Sequence, residues 1–399
     1  MIGLFVLGAC SVESDVEPGD GGMSVTPEFD AGGADGLPGD GSRDGQVAPP
    51  DHDPDEGTGD GAANADGGAS LDAGPGPVEV PCAVDPERVW RDVEYLASRE
   101  LRGRIPGDIG NEQALDFAES EFRAAGLEGG GPDGSYRQPF DFSCSHDWCR
   151  NNQYGVTENV IAKLPGKDPA LASEVIIIGA HIDHLGVRDD GAVYGGADDN
   201  ASGAAIVLEL ARMFQRCNLA PSRTLLFVEW NAEEMGLIGS RHFVDSPTVS
   251  LDSIKAVYNF DMVGGGDGSG ILLFGGDDQQ NRWLTDLMVN AAEAEGLEHV
   301  IELVPQKLAS DHAPFVQRGI PICWGFARPD PHPGYHQPED DMSRIKLESL
   351  RAVSELFWAA LRPLSLGDEQ AFAFRAHSPR LRSSDLALSR AAQELGCGK

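Results

Sequence analysis

Basic residues are scarce in this 399-residue chain: 30 lysines and arginines stand against 65 aspartates and glutamates, a formal charge of −35. Nucleic-acid binding needs a basic footprint, so this imbalance excludes that class of partner. Long apolar runs are missing too. No stretch reaches the roughly 18 apolar residues that a membrane-crossing helix needs. No CxxC pair stands among the seven cysteines, which argues against a thiolate zinc site. No internal repeat is visible, so a solenoid is not expected.

What is abundant is unevenly spread. Residues 11–80 hold 17 acidic residues and one basic residue, Arg43, among glycines and prolines, with hardly a periodic hydrophobic residue. Such a segment cannot bury enough apolar surface to offset its ordering entropy, and reads as a flexible, self-repelling tether. Its Asp/Gly flavour never completes the calcium-loop pattern D-x-[DN]-x-[DN]-G-x5-E. Ahead of it, residues 1–9 are apolar and end in Leu7-Gly8-Ala9-Cys10, similar to a bacterial lipoprotein processing site, although no Lys or Arg precedes the run. Residues 1–10 then form a signal, and lipidated Cys10 holds an exported protein at the cell envelope unless it is released outside the cell. The ordered domain is expected over 82–365, with 366–399 a weakly patterned tail. Setting Cys10 aside leaves six cysteines. In an exported protein that number permits disulfides, and Cys144 with Cys149 could close a small loop. Cys217 and Cys323 fall in helix and strand patterns, as buried thiols do.

Two amphipathic helices, in VWRDVEYLASREL and NEQALDFAESEFRAAGL, precede strands at 136–143 and 156–164. Apolar strands at 175–180, 224–228, 255–260, 271–274 and 321–324 then alternate with helices at 203–215, 237–243, 281–295 and 347–361. Continuous apolar strands separated by helices predict an α/β fold: a three-layer sandwich whose mixed, mostly parallel sheet is covered by helices on both faces.

Acids and histidines gather at the ends of those strands. His181 and Asp183 are two apart, so an extended chain puts them on one side, where a carboxylate can fix a metal-binding imidazole. Asp198, Asp199 and Asn200 stand among small residues before a helix. A helix cap accounts for one acid there, not for two acids and an asparagine. Glu233 and Glu234 follow a buried strand directly, where adjacent glutamates repel unless a cation or proton lies between them. Asp261 ends another strand, Asp311 and His312 sit in SDHAPF, and Tyr335 and His336 precede the last helix.

Each signal alone is weak. Their order and wording — AHIDHLG, GADDNASG, EWNAEEMGLIGS, NFDMVG, SDHAPF and YHQPEDD — resemble the co-catalytic di-zinc aminopeptidase family, clan MH metallopeptidases of the bacterial secreted leucyl-aminopeptidase type. The resemblance runs from about residue 89 to 361. It implies a phosphorylase/hydrolase-like sandwich and two zinc ions. By motif, His181 and Asp261 bind one zinc, Glu234 and His336 the other, and Asp199 bridges both. Asp183 orients His181, and Glu233 is the general base. Tyr335 is a candidate oxyanion donor, while Asp311 and His312 are candidates for the substrate pocket. His184 is expected to pack beside the site, and His332, His242 and His299 to be ordinary surface or packing residues. The implied reaction is hydrolysis of the N-terminal peptide bond of peptides; nothing in the sequence points to an oligomeric state. Rival readings are a carboxypeptidase or dipeptidase of the same fold, a glutaminyl cyclase-type transferase with a single zinc, and a non-catalytic scaffold. The transferase predicts loss of a His181- or Asp261-type ligand, and the scaffold predicts loss of Glu233 or a ligand.

Overall fold

Side-chain alternation along the central strands decides the architecture. In β4 (Val175–His181), Ile176, Ile178 and Ala180 join one hydrophobic cluster and Val175 and Ile177 the other. In β5 (Thr224–Trp230), Leu225 and Phe227 face one way and Leu226, Val228 and Trp230 the other. Strands buried on both faces need cover on both. The first cluster draws in α1 (Pro86–Leu96), α2 (Ile109–Ala124), α3 (Gly203–Arg216), α5 (Arg282–Glu295) and α7 (Leu347–Leu366). The second meets α4 (Ile238–Asp245) and α6 (Ala313–Gln317). The computed structural model describes residues 82–144, 154–266, 270–275, 279–297, 301–328 and 332–368. The expected signal with Cys10, the tether, most of the tail, Cys149 and His299 lie outside those residues.

The remaining strands are β1 (Glu128–Gly129), β2 (Arg137–Ser143), β3 (Tyr154–Leu164), β6 (Ile254–Phe260), β7 (Ile271–Phe274), β8 (Ile301–Val304) and β9 (Ile322–Ala327). One sheet runs in the order β1-β3-β5-β4-β6-β9-β7-β8, with β2 paired to β3. The middle, β5-β4-β6-β9, is parallel throughout. Antiparallel pairings flank it, β3 on β5 and β7 on β9. The sandwich expected from the sequence is therefore present, and its four parallel strands end together on one side.

Helix starts follow local chemistry. Asp85 caps α1 by accepting from the Arg88 N–H, and Asp108 caps α2 by accepting from the Gly110 N–H. Cys217, expected as a buried thiol, is instead bonded to Cys82, 135 residues away. The reason is positional: α3 ends at Arg216, so Cys217 stands at the helix end, where the chain entering α1 passes. Cys323 is a buried free thiol, as expected. Cys144 is disulfide-bonded; Cys149, the partner its spacing suggests, lies outside the described residues.

Glu229, near the end of β5, is fully buried with neither carboxylate oxygen hydrogen-bonded. Burial pushes its carboxyl well above the usual range, although His181 and Arg212 pull the other way. Between the unfolded value, about 4.3, and this raised value the folded chain binds the extra proton, so stability falls as pH rises through that window. Glu229→Met should therefore stabilise the protein at pH 8, by roughly 1–3 kcal/mol, and by less at pH 4.5. Urea unfolding at the two pH values measures this. A gain independent of pH would show that the carboxyl is not its cause.

Candidate active site and metal centre

The site forms where the parallel strands stop, as expected for an open α/β sheet. His181 ends β4, and Asp261 follows β6 directly. After β5 the chain turns at Ala232 (φ 57°) and presents Glu233 and Glu234. Asp199 lies in the wide turn Ala197–Ser202 ahead of α3. His336 lies in the loop between β9 and α7. Ala232, Met262 and His336 itself all adopt left-handed backbone (φ 55–57°) beside or at a site residue, a cost of about 1–3 kcal/mol each that surrounding structure must hold. Small residues in the Asp199 turn are required by contact. A Cβ on Gly196, itself at φ +58°, would sit 2.6 Å from the His184 ring, and one on Gly203 2.6 Å from the Phe260 carbonyl.

Asp199 faces two imidazoles with its two oxygens. Oδ1 is 3.3 Å from His181 Nε2, and Oδ2 is 3.3 Å from His336 Nε2. On the first side, Asp261 Oδ1 is 3.6 Å from the same His181 nitrogen. On the second, Glu234 Oε2 is 3.1 Å from His336 Nε2, while Oε1 meets His184 Nδ1 at 2.7 Å. The five residues expected to hold metal are thus brought together, with His184 packed behind Glu234. Asp183 Oδ1 stands 3.8 Å from His181 Nδ1, and the residue has further partners. Its carboxylate accepts the backbone N–H groups of Glu233 (3.0 Å) and Glu234 (3.2 Å), and its carbonyl is the nearer partner of His181 Nδ1, at 3.3 Å.

Burial opposes charge on every group here, and neighbours decide the outcome. Hydrogen bonds from His181 and His336 hold Asp199 well below the usual carboxylate range despite its burial. His336 is pushed up to about 10, since Asp199 and Glu234 outweigh the burial that disfavours its charge. Glu233 goes the other way: burial, then Asp311 and Glu234, raise it well above an ordinary glutamate, with His181 opposing. Such a concentration of carboxylates calls for positive charge. The donors of His181, Asp199 and Asp261 lie within 4.8 Å of one another, as do those of His184, Asp199 and Glu234. This imidazole and carboxylate set fits zinc, whose ligands are nitrogen and oxygen where cysteine is lacking.

The donors open onto a cavity of about 190 Å³ whose other wall is Met262, Ala309, Trp324, Phe326, Lys307 and His332. Tyr335, half exposed, stacks on His336 at 3.8 Å between ring centroids. Burial and then Asp199 and Glu234 raise its phenol pKa, so it stays protonated. Asp311 and His312, expected in the pocket, are fully buried behind its wall. His312 stacks on Trp324 at 4.6 Å, and the tryptophan has the cavity side.

Three supporting residues were not expected. Arg104 is completely buried and donates to the carbonyls of Ile182 (2.8 Å), Gly195 (2.8 Å), Gly196 (3.0 Å) and Leu96, clamping the His181 and Asp199 segments together. Burial lowers its pKa only to about 10, so it remains a cation at neutral pH. Asp340 accepts from the backbone N–H groups of Asp198 (2.9 Å) and Asp199 (3.0 Å). His332, expected as an ordinary packing residue, is buried and paired with Asp198 on the cavity wall. The text around Arg104, LRGRIPGDIG, belongs to the resemblance, but no local pattern announces a buried guanidinium.

Comparison with known proteins agrees with this geometry. Residues 159–361, just over half of the chain, match "Peptidase family M28". The chain is 30% identical over 263 residues to the Leupeptin-inactivating enzyme 1 of Streptomyces exfoliatus, covering 66% of this chain and 53% of that protein. It is 30% identical to Aminopeptidase YwaD of Bacillus subtilis, over 47% of this chain and 40% of that one. It therefore spans about half the length of these relatives, or less. Its fold is similar to that of BSAP, a zinc aminopeptidase from Bacillus subtilis, with a TM-score of 0.59 at 18% identity over 73% of this chain and 98% of that one. The family match, together with the ligand-bearing strand ends it spans, places this chain in peptidase family M28.

Proposed function

We propose that this chain is a zinc aminopeptidase that hydrolyses the N-terminal peptide bond of peptides with two zinc ions. The observation that carries the reading is Asp199, whose Oδ1 faces His181 and whose Oδ2 faces His336, each at 3.3 Å. Such a carboxylate can serve two centres at once. His181 and Asp261 complete one donor set, and Glu234 and His336 the other. Zinc at these positions supplies a Lewis acid that polarises the scissile carbonyl and acidifies water. Glu233, on the cavity wall, takes the proton of the attacking water and returns it to the departing amine. Burial makes this carboxyl hold a proton more readily than an ordinary glutamate, which suits handing it on to the amine. Tyr335 keeps its proton and donates to the oxyanion. Asp183 holds the Glu233–Glu234 turn.

Both donor sets favour this reading over a single-zinc transferase. A carboxypeptidase needs cations for the substrate's terminal carboxylate; among the described residues, Lys307 is the one lysine or arginine lining the cavity. The Cys82–Cys217 disulfide supports an exported protein, because such bonds persist in oxidising compartments.

The test is one peptide with a free and with an acetylated N-terminus, offered to zinc-reconstituted protein. Sequential release from the free amino end only, with the acetylated form at least ~100-fold slower, is expected. Acetylation removes the charged amine, and one charged hydrogen-bonding partner accounts for about 3 kcal/mol. Equal cleavage of both forms, or release from the far end, would move the function to a carboxypeptidase or dipeptidase.

A further inference from the structure

We infer that His332 is an imidazolium at neutral pH whose ion pair with Asp198 fixes the spacing of the metal ligands: a positioning residue that touches neither metal nor reacting atoms. The inference rests on the zinc reading for its consequence, and on hydrogen-bond geometry for its charge state.

The two ring nitrogens of His332 meet Asp198 Oδ2 and, at 2.7 Å, the Ala327 carbonyl. A carbonyl only accepts. The Asp198 carboxylate is committed as an acceptor as well, its Oδ1 taking the backbone N–H groups of Gly264 (2.9 Å) and Gly265 (2.7 Å). With Asp198 ionised, both nitrogens carry hydrogen, since a neutral ring would then set one lone pair against another. Burial opposes the charge, but Asp198 outweighs it and pushes His332 up to about 9.

The pair joins three ligand-bearing segments. Asp198 is the neighbour of Asp199. Gly264 and Gly265 follow Asp261 in the same loop, and a Cβ on Gly265 would lie 2.3 Å from Asp198 Oδ2. His332 lies in the same loop as His336, between β9 and α7. Ala327 closes the circuit, its N–H donating to the Met262 carbonyl at 2.8 Å. A buried carboxylate left without its cation draws in water or shifts toward another donor, and each available shift displaces a ligand segment. Packing alone is a weaker account. The His332 ring lies 4.7 Å from Phe326, and a phenylalanine would keep that contact.

The first measurement is nitrogen-15 NMR of the histidine rings in the zinc-loaded full-length chain at pH 7.5, with the His332 signals assigned by their loss in His332→Gln. Both ring nitrogens protonated is the expected result; one bare nitrogen would overturn the charge state. The second is zinc affinity by competition with a chromophoric chelator. His332→Phe should weaken zinc binding about 10–100-fold, the usual effect of removing a supporting partner. The Asp198→Asn/His332→Gln pair, which removes both charges and keeps an amide contact, should recover most of that loss. If wild type binds two zinc ions and His332→Phe binds them as tightly, the positioning role is wrong. If wild type binds no zinc, the functional reading fails, while the NMR result still decides the charge state.

Discussion

Glu233→Gln should lower kcat by a factor of about 10²–10⁴, the range spanned by general-base terms, with zinc content by elemental analysis unchanged. The amide keeps the shape of the side chain and its place on the cavity wall, and the backbone N–H of Glu233 stays bound to Asp183. Only the capacity to accept a proton is removed. KM should change little, because a proton transferred in the transition state contributes nothing to ground-state binding. The wild-type pH profile gives a second check. Burial raises this carboxyl, and the base works only when ionised, so kcat/KM should fall as pH drops through a limb above the ordinary glutamate value of about 4.3. That limb should vanish in the variant. Turnover near wild type would place the base elsewhere.

Asp199→Asn should empty the metal centre. An amide offers one neutral oxygen where the carboxylate offers two charged ones, and here the two are aimed at different imidazoles. The variant loses a bridging charge from both donor sets together. Zinc affinity should fall by more than the roughly 10–100-fold that accompanies loss of a supporting hydrogen-bond partner, with fewer than two ions retained per chain after dialysis and activity falling in proportion. The turn itself should survive, since Asp340 binds its backbone rather than the Asp199 side chain. Full occupancy in the variant would contradict the bridge.

The sequence was most legible where chemistry and strand pattern coincide. His181, Glu234 and Asp261 stand at or just beyond the ends of apolar strands, and the structure brings them together with Asp199 and His336. Asp183, two residues past the strand, stands 3.8 Å from His181 Nδ1 and also holds the backbone of Glu233 and Glu234. Arg104, Asp340 and His332 were not legible at all. Their partners are distant in sequence, Gly196 from Arg104, Asp199 from Asp340 and Asp198 from His332, so a lone Arg, Asp or His carries no local mark of the work. The strand β1 escapes for a related reason: two residues are too few to display a period. The cysteines show the same limit, since spacing suggests near pairs and the Cys82–Cys217 bond closes over 135 residues.

That bond also sets how the domain bears load. Cys217 caps the rear of α3, whereas the Asp199 turn leads into its front, Gly203. The helix between them, 14 residues, is about 21 Å long at 1.5 Å per residue. Force applied to the chain ahead of Cys82 passes through the sulfur bridge into the rear of α3 without first unwinding α1. The sulfur bridge and the Asp199 turn thus stand at opposite ends of one helix.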